Sequence, residues 1–239
     1  MLVIFRKEIA QFFSSPIAYI IMAVFLTATG LLLWVFPDTS LLDMGYADLG
    51  PFFNLTPYVL LFLAPAITMS AIAGEVRAGT LEWLLTKPVS RWGLVLGKFL
   101  ACWLLVALTL LPTLVYYGSL YELGNPVGNI DSATVAGSYV GLLLLAGVFV
   151  SVGLWASSLN DNQVVAFVLG VFSCFVLYVA PGALAGVGNL GGASYFVASL
   201  SLDEQYRALG RGLIDSRNVI YLGSLIGLFL HGTTSRLTR

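Results

Sequence analysis

The chain has 239 residues, of which 59% are hydrophobic and only 10% are Asp, Glu, Lys or Arg. Soluble domains carry about 25% charged residues, so this composition excludes a water-soluble domain. The formal net charge of −1 provides no basic field for nucleic acid, and we expect no nucleic-acid partner.

Residues 1–15 are predicted to form a helix that lies in the membrane interface. Its charged and polar side chains lie away from one apolar helical face, which consists of Leu2, Phe5, Ile9, Phe12 and Phe13. Ser14, Ser15 and Pro16 then supply a stop, an N-cap and a first-turn proline for the next helix.

Six apolar stretches follow that are long enough, or nearly so, to cross a bilayer as helices. About 20 residues, each rising about 1.5 Å, are needed to cross a hydrocarbon core of about 30 Å. The predicted spans are residues 17–36, 52–73, 99–117, 135–157, 164–187 and 219–232, and the last needs His231 and Gly232 to reach this length. None of them contains Asp, Glu, Lys or Arg. We therefore predict an all-α integral membrane protein with a single transmembrane domain over residues 1–239.

The distribution of Lys and Arg predicts that both termini face the cytoplasm. Basic residues lie before the first span and between the second and third, whereas the connections 37–51 and 118–134 carry only acids. The region 188–218, an external loop or re-entrant segment, carries three arginines, but three acids balance them. Within that region, Ser201-x-x-Glu204 forms a capping-box pattern before a short helix with one apolar face, made by Leu202, Tyr206 and Leu209.

Residues 74–93 lie between the second and third spans and are too polar to cross the bilayer. Leu81, Leu84 and Leu85 form an apolar stripe on a short helix that Gly79 and Thr80 can start and that Lys87-Pro88 ends. A short cytoplasmic helix with one apolar face needs a surface that buries it. That surface is either the chain's own helix ends or a separate protein, and the pattern leaves both alternatives open.

Residues 75–98 also carry a recognisable set of motif residues: Glu75, Arg77, Gly79, Thr80, Leu81, Glu82, Leu84, Leu85, Pro88, Val89, Ser90, Arg91, Gly97 and Lys98. In this arrangement they resemble the signature of ABC-2 type transporter permeases. The resemblance implies that residues 74–93 are the cytoplasmic coupling segment, whose helix docks on a cytoplasmic ABC ATPase subunit. It also implies a type V exporter-like fold, with six transmembrane helices and an N-terminal interfacial helix.

The same resemblance implies an assembly in a bacterial or archaeal cytoplasmic (inner) membrane. Two permease chains, identical or different, would associate with two ATPase chains, with the substrate path between the permeases and membrane lipid around them. A periplasmic or auxiliary subunit is a further expected partner. Residues 211–217, Arg-Gly-Leu-Ile-Asp-Ser-Arg, with Val219, Ile220 and Tyr221, resemble the gliding-motility-associated permease subgroup, although Asn218 stands where a second Asp is expected.

The sequence contains no motif for catalysis, metal binding or cofactor binding. Gly93 and Gly97 are separated by three residues rather than the four of a phosphate loop, and no Ser or Thr follows Lys98. The one histidine, His231, and the two cysteines, Cys102 and Cys174, lie in or at the ends of apolar runs, which favours a packing role. We expect no enzyme activity, metal or disulfide in this chain, and we expect ATP to be bound by the partner subunit.

The competing functions are an ion-coupled secondary transporter and an intramembrane enzyme. Both usually need ionisable groups within the bilayer, which the six predicted spans lack. A sodium-coupled carrier that uses backbone oxygens stays open. For assembly, Gly137-x-x-x-Gly141 and Gly223-x-x-x-Gly227 permit close helix approach, either within the chain or against a second one.

Overall fold

The computed structural model describes residues 1–36, 41, 47–85, 90–186, 198–210 and 215–237, and the regular secondary structure of these residues is helical. A 3₁₀ turn, Leu111–Thr113, joins α6 to α7. In chain order the helices are α1 (Leu2–Ser14), α2 (Pro16–Trp34), α3 (Gly50–Thr68), α4 (Ala73–Arg77), α5 (Thr80–Leu85), α6 (Arg91–Leu110), α7 (Leu114–Leu123), α8 (Ser132–Ser157), α9 (Gln163–Gly186), α10 (Leu202–Leu209) and α11 (Ser216–Arg236).

The boundary between α1 and α2 forms as the sequence predicts. Ser15 adopts an extended backbone, its hydroxyl accepts a hydrogen bond from the Ile17 amide, and Pro16 occupies the first helical position. Proline is tolerated there because the first amides of a helix have no intrahelical acceptor. Helix α1 is therefore separate from α2, which corresponds to the first predicted span.

Five segments of the described chain are long and apolar enough to cross a membrane, and they correspond to the first five predicted spans. They are Pro16–Trp34, Gly50–Arg77, Arg91–Leu123, Ser132–Ser157 and Gln163–Gly186. The chain is therefore a multi-pass, all-helical membrane protein over the residues described. The predicted sixth span, residues 219–232, lies within α11, which is not among these five segments, so the count of six stays a prediction.

Helix α11 nevertheless packs along α8 over several turns. Ile226 contacts α8 at Gly147, and Phe229 and Gly232 both lie against Trp155. Residue numbers rise together along the two helices, so α11 runs parallel to α8. The 21 residues of α11 extend about 31 Å at about 1.5 Å per residue, which is about the thickness of the hydrocarbon core.

Helix α8 lies at the centre of the bundle, and glycines bring its neighbours close. A Cβ atom added to Gly153 would overlap the Thr68 hydroxyl oxygen of α3. A Cβ atom added to Gly170 of α9 would lie 3.0 Å from Cβ of Pro65, also in α3. The absence of side chains at these two positions allows α3 to pack closely against both α8 and α9.

The bundle has two distinct ends. At the α4–α5 end, Gln163 at the start of α9 lies over Gly74, and Trp92 at the start of α6 stacks on His231 near the end of α11. At the α10 end, the Tyr206 hydroxyl donates to the carbonyl of Phe53 near the start of α3. Because α1 packs on the start of α6, the N-terminal helix and the end of α11 lie at the same end of the molecule.

Helix α10 forms where the sequence predicts a short helix, but the capping box does not form. Ser201 precedes the helix without a side-chain capping bond, because its hydroxyl is buried and lies near Gly182 of α9. Glu204 is exposed. The predicted apolar face of the helix is buried, namely Leu202, Tyr206 and Leu209.

Candidate functional site

The α4–α5 segment, residues 73–85, is a pair of short helices at one end of the bundle. Helix α3 ends at Thr68, and a turn leads into α4. Between α4 and α5, Gly79 has a φ of +66°, a left-handed conformation that residues with a Cβ atom rarely adopt. The Thr80 hydroxyl donates to the Glu75 carbonyl at 3.3 Å and closes the turn.

Of the ten residues predicted to contact an ATPase, five of those that the structure describes are exposed. Leu81 and Leu84 are half-buried, and Leu84 packs against the chain's own hydrophobic core. Pro88 and the side chain of Leu85 lie outside the described part of the chain. The exposed residues are Arg77, Gly79, Thr80, Glu82 and, at the start of α6, Arg91. The intramolecular alternative therefore applies to Leu84, whereas the surface available to a partner includes the polar residues together with Val76, which is 41% exposed.

Glu75 belongs to a cluster of four charged side chains that the sequence pattern does not predict. Lys98 of α6, only 1% exposed, has its Nζ 2.9 Å from Glu8 Oε1 and 2.9 Å from Glu75 Oε2. Lys7 Nζ lies 2.8 Å from Glu75 Oε1. Lys98 Nζ also donates to the Ala71 carbonyl at 2.7 Å. The cluster contains two cations and two anions, and it connects α1, α4 and α6.

The electrostatics of the cluster explain why these charges tolerate burial. A charge removed from water is stable only when it is paired and hydrogen-bonded. Burial lowers the pKa of Lys7, but the hydrogen bond and the charge of Glu75, together with the charge of Glu8, outweigh burial and raise that pKa above its ordinary value. The contacts of Lys98 tie α6 to α1 and to α4, and the contact of Lys7 with Glu75 ties α1 to α4.

Gly97, adjacent to Lys98, allows α1 to approach α6 closely enough for the cluster to form. A Cβ atom at Gly97 would lie 3.1 Å from Ile4 Cβ and 3.1 Å from the Met1 carbonyl oxygen. The face of α1 that packs on α6 contains Ile4 and Glu8, one turn apart, rather than the predicted apolar face. On that predicted face, Leu2 is 70% exposed and Phe13 is 36% exposed, which leaves both accessible to lipid.

The sequence shows charged residues beside apolar runs at these positions, but it does not show which charged residues contact each other. Glu8 lies among apolar residues of α1, and Lys98 directly precedes the apolar run of the third span. The sequence pattern predicts that Glu8 lies away from the apolar face of the first helix and that Lys98 lies just before the third span, which begins at residue 99. Only the packing of α1 on α6 shows that the two side chains meet.

The four glycines predicted to mediate helix packing have different environments. A Cβ atom at Gly141 would lie 3.2 Å from Tyr206 and 3.3 Å from Leu209, so its neighbour is α10 rather than another long helix. Gly137 is buried in α8. Gly223 and Gly227 are exposed on α11, with open space beside each.

The described residues contain no cluster of side chains that could bind a metal. No group of three His, Cys, Asp or Glu side chains there could hold a metal ion. Cys102 and Cys174 are buried and unpaired, and His231 stacks on Trp92 with ring centroids 5.8 Å apart. What this end of the bundle offers is an exposed helical segment fixed by buried ion pairs.

The sequence is similar to known transporter proteins. Residues 5–211 match the model of the family described as ABC-2 family transporter protein. A probable ABC transporter permease protein, NosY, from Pseudomonas aeruginosa is 34% identical over 131 residues. That alignment covers 52% of this chain and 46% of the relative, so the match spans about half of the relative's length.

Proposed function

The chain belongs to the ABC-2 family of transporter proteins, and on that premise we propose that it is the permease subunit of an ATP-binding-cassette transporter. In this proposal a separate subunit binds and hydrolyses ATP, and this chain couples the hydrolysis to substrate movement or to force transmission across the membrane. In this proposal the chain acts by changing its conformation, and it needs no cofactor of its own.

The observation that carries the proposal is the attachment of the α4–α5 segment to the bundle. Glu75 is held by Lys98 and Lys7, while Arg77, Thr80 and Glu82 remain exposed on the outer surface. A partner that displaces this surface would move a segment that is tied to α6 and α1 by short ionic contacts. Such a rigid tie is what a coupling element requires.

We place the α4–α5 end in the cytoplasm, with both termini on that side. The Lys and Arg asymmetry of the sequence supports this orientation. The position of α1 and of the end of α11 at the same end of the bundle supports an even number of crossings, and we propose six, in the cytoplasmic (inner) membrane. A second permease chain, identical or different, would complete the substrate path, and a periplasmic or auxiliary subunit could join at the α10 end.

Membership of the gliding-motility subgroup remains part of the proposal. The supporting motif begins at residues 211–214, which lie outside the described residues. Asp215, which continues it, caps α11 by accepting a hydrogen bond from the Arg217 amide at 2.9 Å.

An ion-coupled secondary transporter is the rival function, and the position of the buried charges disfavours it. Among the described residues, the charged side chains that are buried are Glu8 and Lys98. Both lie at the α4–α5 end and are paired with each other, whereas proton coupling usually uses ionisable groups deep within the bilayer. The described chain therefore favours an ATP-driven mechanism.

Charge reversal at the exposed surface tests the docking role. Glu82→Lys is expected to reduce recovery of the ATPase in a pull-down by about tenfold, because reversal places like charges together at a complementary interface. The matched control is Glu122→Lys, an exposed glutamate of α7 on the opposite side of the bundle. We expect E122K to recover the ATPase like the wild type. Equal recovery by E82K and E122K would contradict docking through this surface.

Cysteine labelling tests the sixth crossing. With a membrane-impermeant maleimide, Glu122→Cys and Arg217→Cys should react from outside, whereas Asp161→Cys and Arg236→Cys should react only after permeabilisation. Background labelling should be low because both native cysteines are buried. If positions 217 and 236 reacted from the same side, α11 would not cross the membrane.

A further inference from the structure

Ser157, the last residue of α8, is bonded to the turn that begins α4. Its hydroxyl donates to the Met69 carbonyl at 3.0 Å and accepts from the amides of Ile72 at 3.2 Å and Ala73 at 3.0 Å. A hydroxyl has one donor and two acceptor positions, so its full hydrogen-bonding capacity is used on one turn of backbone. The residue is completely buried.

This bonding differs from that of other buried hydroxyls in the long helices. A Ser or Thr in a membrane helix commonly donates to a carbonyl of its own preceding turn. Thr68, Thr109 and Ser151 do so, bonding to Ala64, Leu105 and Val148. Ser157 instead joins residues more than 80 positions away in the sequence.

The residues around Ser157 keep the end of α8 aligned with the start of α4. Gly153, one turn earlier on α8, brings α8 close to Thr68 at the end of α3. Beyond the next turn of the chain, the Gln163 side chain covers Gly74 within α4, with Nε2 2.9 Å from where a Cβ atom would be. The start of α4 is therefore enclosed by α8 and α9 on one side, while Glu75 is held by the charged cluster on the other.

The connection between α3 and α4 is a hydrogen-bonded turn, because α3 ends at Thr68 and α4 begins at Ala73. Helix α8 is a single helix from Ser132 to Ser157, and α11 packs against it at Gly147 and at Trp155.

From this geometry we infer that Ser157 is a positioning residue that fixes the start of the α4–α5 segment to α8, so that movement of the segment reaches α8 and α11. The inference rests on the proposed function, because the segment must be moved by an ATPase for the tie to matter. The structural part of the inference, that the Ser157 hydroxyl holds the start of α4, can be measured on this chain without the ATPase.

The test compares Ser157→Ala with Ser151→Ala. Both remove a fully buried hydroxyl from α8, but S151A loses only a bond to its own helix. Measured by hydrogen exchange in lipid nanodiscs, amides of residues 69–78 should exchange about tenfold or more faster in S157A, because two buried amides lose their acceptor. In S151A they should exchange at the wild-type rate. Equal exchange in the two variants would overturn the inference.

A second measurement separates positioning from simple loss of packing. The ATPase recovered with the wild-type chain should bind S157A within about twofold, because the exposed surface of α4–α5 is unchanged. The permease-dependent change in its hydrolysis rate, per bound complex, should fall at least about fivefold. Faster exchange with unchanged hydrolysis per complex would overturn the positioning role.

The conservative variant Ser157→Thr keeps the hydroxyl and should restore both readouts toward wild type. If S157A did not fold, Ser157→Cys would replace it, since a thiol is a weaker hydrogen-bonding group. If S157C then showed wild-type hydrogen exchange at residues 69–78, the result would contradict the inference that the Ser157 hydroxyl holds the start of α4. A wild-type chain that recovers no ATPase would refute the proposed function, while the exchange result would still decide whether Ser157 holds α4.

Discussion

Lys98→Met is expected to lower the free energy of unfolding by about 3–5 kcal/mol, the usual cost of breaking a buried ion pair from one side. The substitution removes a fully buried cation and leaves Glu8 and Glu75 to share Lys7, whose side chain is 47% exposed. Two carboxylates around one half-exposed cation are poorly compensated. Thermal unfolding of the purified chain in detergent, compared with wild type, measures the loss.

The control for this variant is Lys7→Met, in the same cluster. Because Lys7 is partly solvated, its removal should cost no more than about 1 kcal/mol. The triple variant Glu8→Gln, Glu75→Gln, Lys98→Met should regain part of the stability, since no carboxylate is then left without a cation and the remaining Lys7 side chain is 47% exposed to solvent. K98M with the same unfolding temperature as K7M would contradict the assignment of Lys98 as the centre of the cluster.

Gly153→Val is the substitution with the second largest expected effect. A side chain there would overlap the Thr68 hydroxyl and lie 3.5 Å from Pro65 Cα, so α3 and α8 would have to separate. Overpacking of a close-packed core costs about 1–3 kcal/mol. The separation would also weaken the contact of Ser157 with α4, so hydrogen exchange of residues 69–78 should rise together with the loss in thermal stability.

The matched control is Gly223→Val, because Gly223 lies on α11 with open space around it. We expect it to leave the unfolding temperature of the chain close to wild type. If G223V and G153V were equally destabilising, the close contact between α3 and α8 would not be the cause. A change in oligomeric state confined to G223V would instead indicate that this face of α11 meets another chain.

Much of the helical framework can be predicted from local sequence. Long apolar runs predict the first five spans, because a helix satisfies its own backbone in lipid and needs only length and hydrophobicity. Ser15-Pro16 predicts a helix start, since the hydroxyl cap and the proline act on adjacent residues. These features depend on residues that are close together in the sequence, which is why the structure agrees with them.

The features that the sequence could not predict depend on contacts between distant helices. Glu8 and Lys98 are 90 positions apart, and only the packing of α1 on α6 through Gly97 brings them together. Ser201-x-x-Glu204 has the local pattern of a capping box, but burial of Ser201 beneath α9 overrides it. Likewise, no local signal distinguishes Ser157 from Ser151, because their difference is the neighbouring helix.

Site-specific photo-crosslinking tests the central claim most directly. A photoreactive amino acid replaces Glu82 in one variant and Glu122 in another, and each is irradiated in native membranes. The proposal predicts that position 82 forms a covalent adduct with a subunit that carries an ATP-binding phosphate loop, and that position 122 does not. An adduct with that subunit from position 122, or its absence at position 82 in a folded and inserted chain, would contradict an ATPase-coupled permease that docks through the α4–α5 segment.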